Sequence, residues 1–295
     1  MKNLKFLFGV LFLWNTALAQ ENSVREFPME EKSLLWQISG PNVKGDAYLF
    51  GTMHLIQRDF FHFPKKLEKL VKKSDVLVME LPGLPDPSEA LSYVILEEGS
   101  FFDFFSPEQT DSILVWAEEK MNFGEAAFRA AFSKMKPFVI VQFAVQMHFI
   151  GKTESYEVSF EALAKENNVP IEGLETVAEQ MSIFDKLSDK QQSEMVMESI
   201  REGDQAIETL ETMQQTYADQ DIDGLYQLIH EQGGIIEEEE KQFLDDRNQN
   251  WTPKIKTYLA DKNSFIVVGA AHLGGPNGLI RLLEKEGYTL TPVKL

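Results

Sequence analysis

One local pattern occurs twice in this chain and constrains its fold more than any other feature. In residues 46–55 and again in residues 265–273, an apolar run leads to a glycine, two small or apolar residues, a histidine and a leucine. A helix-forming stretch and another apolar run follow each copy; these are residues 64–74 and 75–81, then 276–287 and 288–293. The sequence therefore predicts two strand–turn–helix–strand units that lie far apart in the chain.

The apolar runs within these units indicate a mainly parallel sheet. Residues 48–50 and 265–268 are continuously apolar, as is typical of strands buried on both faces. Parallel strands need crossovers, which the two predicted helices supply. In open α/β sheets, ligands bind beyond the carboxyl ends of the strands. We therefore expect His54 and His272, which follow those ends, to converge at one edge of the sheet.

The glycines of the repeated pattern, Gly51 and Gly269, are expected close to the same edge. Glycine permits a sharp turn and lets the backbone approach a ligand closely. Both glycines are therefore predicted to support the site around the histidines rather than to carry chemistry.

The first 19 residues have the features of an export signal. Lys2 and Lys5 precede a short apolar run, and Ala17, Leu18 and Ala19 form a small-residue cleavage site. The apolar run is too short to span a bilayer, and an uncleaved anchor is the less favoured alternative. We expect cleavage after Ala19 and a periplasmic or secreted protein. The chain contains no cysteine, so its stability outside the cytoplasm would come from an ordinary core.

The charge of the chain excludes several classes of partner. The formal net charge is −19, and cleavage of the signal would remove two lysines and no acidic residue. Such a charge disfavours binding to nucleic acid and to anionic lipid surfaces. No stretch after the signal approaches the length of a membrane span. We therefore expect no membrane anchor in the mature protein.

Residues 20–295 are predicted to form a single α/β domain with two large helical insertions, at about 84–150 and 176–260. Between the insertions, residues 155–168 favour a helix with Val158, Leu163 and Ala164 facing inward, followed by a short strand. The second insertion is predicted to end in a long helix from Ile235 to Leu259. Pro253 is expected to bend or break that helix.

The two repeated histidines and one acidic residue form a candidate metal site. Imidazole is a common ligand of transition metals. Glu80 ends an otherwise apolar run after the first crossover, where an unpaired carboxylate would be costly to bury. Two histidines and a carboxylate with open positions suit Zn, Mn, Co or Fe. Alternatively, Glu80 acts as a general base, or His54 and His272 are merely hydrogen-bonded within the core.

Several other residues are weaker candidates. Arg247 is interpreted either as a surface ion pair or as a group that stabilises an oxyanion or a substrate carboxylate. Glu175 follows a strand end and either points at the site or caps a helix. Tyr156 could line the site with Glu157 and Glu161, which lie one helical turn apart, although a solvated face is the more usual role of such acids.

The remaining histidines are weak candidates for the site, and the common nucleotide-binding and serine-hydrolase motifs are absent from the sequence. His62 lies near the first repeated turn and is at most a peripheral residue of the site, whereas His148 and His230 are predicted on helices in structural roles. The chain contains no G-x-S-x-G elbow, P-loop or dinucleotide-binding glycine pattern. The glycine-rich segment 274–278 is predicted to be a tight turn into the last helix.

These motifs together resemble the TraB/GumN family, which is related to the Tiki proteins and to the erythromycin-esterase/ChaN-like fold. The resemblance rests on residues 48–54, 76–81, 171–176 with Gln180, Arg247-Asn248, and 268–274 through Gly287-Tyr288. It implies a mixed α/β core with helical insertions, with the two Gly-x-x-His motifs, a glutamate and an arginine at the site. For Tiki-like members it implies a metal-dependent peptidase, and for ChaN-like relatives an association with haem or iron.

Two functional hypotheses follow. The first is an exported metal-dependent hydrolase, in which His54, Glu80 and His272 hold a divalent ion that activates water against a peptide or a small amide or ester, with Arg247 and Glu80 as the catalytic side chains. The second is a non-catalytic periplasmic protein that binds haem, iron or a peptide in the same cleft. A scaffold with no ligand at all is the third possibility.

Overall fold

The structure of this protein is a computed structural model that describes residues 24–232 and 241–295. The predicted export signal over residues 1–19 lies outside the described residues, as does the start of the helix predicted from Ile235. Within the described residues, no helix is both long and apolar enough to cross a membrane.

In the part of the chain that the structure describes, eight strands form two sheets. They are β1 (Leu35–Ser39), β2 (Ala47–Thr52), β3 (Ile56–Gln57), β4 (Val76–Met79), β5 (Thr153–Glu154), β6 (Ile171–Gly173), β7 (Ser264–Gly269) and β8 (Thr289–Pro292). The large sheet has the order β6-β4-β7-β2-β1-β8, and β3 pairs with β5 in a small second sheet. Strands β6, β4, β7 and β2 are mutually parallel, whereas β1 is antiparallel to both β2 and β8.

Twelve α-helices occupy the described parts of the chain. They are α1 (Lys65–Lys73), α2 (Pro87–Val94), α3 (Pro107–Met121), α4 (Glu125–Phe132), α5 (Phe138–His148), α6 (Tyr156–Glu166), α7 (Val177–Asp185), α8 (Asp189–Glu202), α9 (Asp204–Ala218), α10 (Ile222–Gln232), α11 (Asp246–Asp261) and α12 (Leu279–Lys285). A π-helical turn, Lys241–Asp245, leads directly into α11. The prediction of a mixed, mainly parallel α/β fold is therefore confirmed.

The parallel pairing places four strand ends at one edge of the sheet. Thr52 of β2 pairs with Gly269 of β7, and Met79 of β4 pairs with Val267 of β7 and with Gly173 of β6. Because these strands run in the same direction, the residues that follow them emerge side by side. This edge is where the repeated motif was predicted to act.

Apolar side chains are buried in two separate clusters. The larger one surrounds the sheet and includes Phe50 and Phe265 with helices α6, α11 and α12. The smaller one is rich in phenylalanine, centres on Phe101 and Phe128, and joins α3, α4, α5 and α8. Helices therefore occupy most of the described residues in both stretches in which insertions were predicted. The division of residues 20–295 into one domain with two insertions stays a prediction.

Two helix predictions need correction. Val158 is 50% exposed rather than inward-facing, because α6 turns Tyr156, Phe160 and Leu163 towards the sheet and Val158 lies on the opposite side of the helix. Pro253 does not break the last long helix, since α11 continues through it; the alternative, that Pro253 bends this helix, stays a prediction. The predicted inward positions of Leu163 and Ala164 are confirmed.

Candidate functional site

The carboxyl edge of the sheet brings the three predicted ligands together. His54 follows β2, Glu80 directly follows β4, and His272 ends the short 3-10 turn after β7. Nε2 of His54 lies 4.0 Å from Oε1 of Glu80, and Nε2 of His272 lies 3.9 Å from the same oxygen. The expected convergence of two distant histidines and one carboxylate is therefore present in the structure.

Glu80 is a buried, fully hydrogen-bonded carboxylate. Its Oε1 accepts the backbone N–H of Gly269 at 2.7 Å. Its Oε2 accepts from Arg247 at 2.6 Å and from the Gln180 amide at 3.3 Å. Burial opposes the charged form, but the nearby histidine and arginine side chains and the Gly269 N–H outweigh it and lower the pKa of Glu80 to about 2. Glu80 is therefore ionised at neutral pH.

His272 is held in a single tautomer by Asn248. The Asn248 amide nitrogen donates to the backbone carbonyls of His272 and Asn277, at 3.3 and 3.0 Å. Its oxygen must therefore face Nδ1 of His272, which lies 2.8 Å away and carries the proton. Nε2 then presents a lone pair to the site. Burial and the charge of Arg247 lower the pKa of His272 to about 3, so the ring is neutral.

The alternative prediction of a surface ion pair for Arg247 is wrong, because its partly buried guanidinium lies between the buried carboxylates of Glu80 and Glu175. Its Nη2 donates to Glu80 and Glu175, each at 2.6 Å, and its Nε donates to Glu175 at 3.2 Å. Its Nη1 donates to Nε2 of His272 at 3.0 Å and to the Phe243 carbonyl at 3.2 Å. All five N–H groups of the guanidinium are thus engaged. An oxyanion role for Arg247 requires one of these bonds to open.

Glu175 faces the site and does not cap a helix. Its carboxylate accepts from Arg247 and, at 3.1 Å, from Nε1 of Trp251. The N-cap of α7 is instead Thr176, which forms a capping box with Glu179. The Arg247 guanidinium also lies over the Trp251 ring, 4.5 Å from its centroid. Glu175 and Trp251 therefore hold Arg247 in place beside Glu80.

His54 is oriented by Glu157, although the sequence favoured a solvent-exposed helix face for this residue. Nδ1 of His54 lies 2.8 Å from Oε1 of Glu157, which also accepts from Thr52, while Ser155 donates to Oε2. Burial opposes a charge on the ring, but the Glu157 hydrogen bond and the charges of Glu80 and Glu157 outweigh it and raise the pKa of His54 to about 9. The His54 side chain is 65% exposed, so the direct contact with Glu157 decides the direction of this shift.

The remaining predicted residues lie around the site rather than in it. Tyr156 is buried and donates its hydroxyl to the His62 carbonyl at 3.0 Å, which supports the loop after β3. Glu161 accepts the backbone N–H of Leu84 at 3.1 Å and so holds the segment after β4. His148 and His230 are exposed on α5 and α10, away from the three candidate ligands.

The two glycines are required for close packing rather than for a turn. Neither Gly51 nor Gly269 has a positive φ angle. A Cβ on Gly51 would lie 3.0 Å from the Cα of Ala270. A Cβ on Gly269 would lie 3.3 Å from Oε1 of Glu80 and 3.7 Å from Nε2 of His54. Gly269 therefore keeps the centre of the site free of side-chain atoms.

The donor set suits a metal ion in its chemistry more than in its spacing. In the described ranges, 24–232 and 241–295, no group of three or more His, Cys, Asp or Glu side chains is gathered closely enough to hold a metal ion. Donors around one ion lie about 3.4 Å apart when the bonds are near 2.1 Å. The two Nε2–Glu80 distances exceed that by about half an ångström, and Arg247 occupies Nε2 of His272.

The orientation of the donors nevertheless matches metal-binding histidines. Such histidines usually donate their second ring nitrogen to an oxygen acceptor, which fixes the ring. Glu157 does this for His54, and Asn248 does it for His272. The donor set therefore fits a divalent ion, provided that His54 loses the proton on Nε2, that Arg247 leaves Nε2 of His272 and that the side chains move inward.

A cavity of about 560 Å³ opens onto the site. Its floor includes His54, Glu80 and Glu157. Its walls are otherwise apolar, with side-chain amides between them; the wall residues include Met79, Leu84, Pro85, Val141, Val145, Gln142, Gln146 and Gln180. The cavity is large enough for one or two residues of a substrate, which agrees with the usual size of small ligand sites.

Comparison with known proteins gives one finding. No curated protein and no solved structure matches the chain. The model of the TraB/PrgY/gumN family matches residues 34–292, which include every residue of the site described above. The protein belongs to the TraB/PrgY/gumN family.

Proposed function

We propose that the protein is an exported, metal-dependent hydrolase that cleaves a peptide or another amide or ester. The observation that supports this most directly is the arrangement of His54 and His272. Their Nε2 atoms face one oxygen of Glu80, while Glu157 and Asn248 hold their Nδ1 atoms. His54 and Glu80 line the floor of the cavity, and His272 is buried directly beside Glu80. Two oriented imidazoles and an ionised carboxylate would form a ligand set with positions left open for water and substrate.

His54, Glu80 and His272 would hold a divalent ion such as Mn, Co, Zn or Fe. When bound, such an ion supplies an activated water and polarises the carbonyl of the substrate. The protein's own contribution is orientation. Asn248 keeps the proton of His272 on Nδ1, and Glu157 turns Nε2 of His54 towards Glu80.

Arg247 has two tasks in this proposal. Its bonds to Glu80 and Glu175 hold Glu80 in place and offset the cost of burying both carboxylates. Its Nη1 atom donates to Nε2 of His272, and this bond must open if His272 becomes a ligand. The released N–H group is then available to the negative charge that develops on a substrate carbonyl.

The proposed location outside the cytoplasm rests on the sequence of residues 1–19. The positive start, the short apolar run and the small residues before Gln20 favour export and cleavage. Amino-terminal sequencing of protein recovered from the cell envelope and medium tests this. A mature chain that starts at Gln20 is expected, and a chain that retains Met1 would contradict export by cleavage.

The decisive experiment measures metal content and cleavage together. Mature protein is stripped with a chelator, reloaded with Mn, Co, Zn or Fe, and assayed for bound metal and for cleavage of quenched fluorescent peptides. We expect one ion per chain and metal-dependent cleavage in the wild type, with both lost in His54→Ala and His272→Ala. His148→Ala, on the exposed side of α5, is the matched control.

Three other results would contradict parts of the proposal. Unchanged metal content in both histidine variants would refute the ligand set. Cleavage that survives complete removal of metal would show hydrolysis without an ion. Peptide binding without cleavage by the metal-loaded protein, or a Soret shift with haem, would indicate a binding protein in place of an enzyme.

A further inference from the structure

Helix α9 carries two buried polar side chains that the proposed chemistry does not use. They are Gln214 and Tyr217, which are 2% and 1% exposed. The two residues lie three positions apart, so their side chains project from the same face of the helix. Buried polar groups are costly unless they are hydrogen-bonded. Their partners therefore show what this face of α9 does.

Tyr217 holds the backbone at the start of the first Gly-x-x-His motif. Its hydroxyl donates to the carbonyl of Gly51 at 2.9 Å, in a buried hydrogen bond. The paired register of β1 and β2 ends at Leu35 and Phe50, one residue before Gly51. Tyr217 thus supplies a donor to a carbonyl just beyond the paired part of β2, where a buried acceptor without a partner would be unfavourable.

Gln214 holds the backbone on the other side of His54. Its side-chain oxygen accepts the backbone N–H of Gln57, in strand β3, at 2.5 Å. Strand β3 has two residues and pairs with the equally short β5. A pair of strands this short is marginally stable by itself. The contact with Gln214 therefore adds an anchor from a buried helix to the end of the loop.

These two contacts lie on either side of His54. Gly51 precedes the histidine by three residues and Gln57 follows it by three. Residues 53–55 belong to neither β2 nor β3, so His54 lies in a short connection between two anchored positions. Glu157 fixes the orientation of the ring. The contacts from α9 instead fix the position of the backbone that carries the ring.

The second motif is supported in a comparable way. Asn248 of α11 donates to the carbonyl of His272, as Tyr217 of α9 donates to the carbonyl of Gly51. Both helices lie in the stretch predicted as the second helical insertion. Each Gly-x-x-His motif therefore receives a side-chain donor to its backbone from a helix far from it in sequence.

We propose that Gln214 and Tyr217 are positioning residues that hold the His54 segment, residues 51–57, from both ends. They act through the backbone on each side of His54 and keep its Nε2 atom at 4.0 Å from Oε1 of Glu80. Metal ligands must be placed to within a few tenths of an ångström, so a small displacement of this segment weakens metal binding. That last step rests on the proposed function, whereas the hold on the segment does not.

Hydrogen exchange of the metal-stripped protein tests the hold directly. Tyr217→Phe removes only the hydroxyl, and Gln214→Met removes the acceptor at a similar side-chain length. We expect amide exchange in the His54 segment to become about tenfold faster in each variant, because each loses one buried hydrogen bond. Exchange in residues 265–273, which contain the second motif, should keep its wild-type rate.

Two matched controls make the same chemical changes elsewhere. Tyr288→Phe alters a buried tyrosine beside β8. Gln192→Met alters a partly buried glutamine of α8 that donates to the Leu187 carbonyl. Both controls should leave exchange in the His54 segment unchanged. Faster exchange in the controls as well would show a general loss of stability and would overturn the inference.

NMR of the His54 ring separates positioning from a merely structural role. At constant pH, the ring signal of His54 should move from its wild-type position in Tyr217→Phe and in Gln214→Met, while the signal of His148 stays in place. A structural role alone would lower stability and leave the His54 signal unmoved. Wild-type exchange of the His54 segment in either variant, or an unmoved His54 signal in both, would overturn the inference.

Titration with Zn²⁺ distinguishes failure of this inference from failure of the proposed function. We expect the affinity for Zn²⁺ to fall about three- to tenfold in Tyr217→Phe and Gln214→Met, and to stay unchanged in the two controls. Faster exchange of the His54 segment in a protein that binds no metal would refute the hydrolase and leave the hold intact. Metal-dependent cleavage with wild-type metal affinity in both variants would retain the hydrolase and overturn the positioning role.

Discussion

The side-chain oxygen of Asn248 lies 2.8 Å from Nδ1 of His272, and this contact decides which ring nitrogen faces Glu80. Both residues are buried, at 1% and 4% exposure. The Asn248 amide cannot rotate without placing its nitrogen against the His272 ring and its oxygen against two backbone carbonyls. The orientation of His272 in the second Gly-x-x-His motif therefore depends on Asn248 of helix α11, which lies outside the motif.

Asn248→Ala tests this dependence. The substitution leaves Nδ1 of His272 and two carbonyls without their partner, so we expect a loss of about 2–3 kcal/mol in the free energy of unfolding. Metal affinity should fall about 10- to 100-fold, because the ring is no longer fixed. Urea unfolding and metal titration provide the measurements. The neighbouring exposed residue serves as control, since Gln249→Ala should change stability by no more than about 0.5 kcal/mol. Undiminished metal affinity in Asn248→Ala would contradict the positioning role.

The meeting of His54, Glu80 and His272 could be predicted from sequence, because strand periodicity gives the positions of strand ends. Parallel pairing then places those ends side by side. The contacts of Arg247, Asn248 and Glu157 could not be predicted in this way. They come from helices α11 and α6, and the contact depends on how those helices rotate and pack over the edge of the sheet. The helical periodicity of a sequence shows which residues share a face of the helix, but not which part of the protein that face packs against.

Arg247 shows the difference most clearly. Its acidic neighbours in sequence, Asp245 and Asp246, favoured an ion pair within the helix. In the structure, its two carboxylate partners are Glu80 and Glu175, which follow strands β4 and β6. The sequence contains no local pattern that links these residues. Arg247 could therefore be named as a candidate from the sequence, whereas its contacts with Glu80 and Glu175 could be found only in the structure.

Arg247→Met should be strongly destabilising. It leaves the buried carboxylates of Glu80 and Glu175 without their shared cation, and removal of one partner from such a group costs about 3–5 kcal/mol. Arg201→Met is the matched control. Arg201 pairs with Glu194, both side chains are more than half exposed, and such a pair contributes at most about 1 kcal/mol. Urea unfolding of both variants measures the difference.

Arg247→Lys keeps the charge and separates charge from geometry. A single ammonium group cannot reproduce the bidentate contact with Glu175 together with the bond to Glu80. We expect stability between those of the wild type and Arg247→Met. Equal stability of Arg247→Lys and wild type would show that only the charge of Arg247 matters.

The two motif glycines should respond differently to alanine. The added Cβ of Gly51→Ala meets the backbone Cα of Ala270 at 3.0 Å, which a buried strand cannot relieve easily. We expect a loss of about 1–3 kcal/mol from overpacking. The added Cβ of Gly269→Ala meets mainly side-chain atoms of the site, with Glu80 at 3.3 Å. Here we expect a smaller loss of stability and at least a tenfold loss of metal affinity.

Thermal unfolding and metal titration of the same two variants check this pair of expectations. Each variant is the control for the other, because both add one methyl group at the same position of the repeated motif. Full metal affinity in Gly269→Ala, or greater destabilisation by Gly269→Ala than by Gly51→Ala, would contradict the idea that Gly269 keeps the site centre clear.

The His54–Glu157 pair predicts how stability depends on pH in metal-stripped protein. The pKa of His54 is raised from 6.5 to about 9, so its contribution is fully present below pH 6.5 and is lost as the pH rises through 9. Burial opposes the charge of Glu157, but the hydrogen bond to His54 outweighs it and lowers the pKa of Glu157 from 4.5. The stability that Glu157 contributes is therefore present above pH 4.5 and is lost at lower pH. The pair therefore stabilises the protein most between pH 4.5 and pH 6.5.

Glu157→Gln should thus destabilise the metal-stripped protein by about 1 kcal/mol at a pH near 5.5, the upper range for a pair with an exposed member. The difference should become smaller at a pH near 9.5, where most of His54 is neutral and Glu157 keeps only its hydrogen bonds. Glu154→Gln is the control, because Glu154 pairs with Arg58, which stays charged throughout this range, so its effect should be the same at both pH values. Urea unfolding at the two pH values and NMR titration of the His54 ring supply the measurements. An unchanged His54 titration in Glu157→Gln would show that Glu157 does not set the charge of this ring.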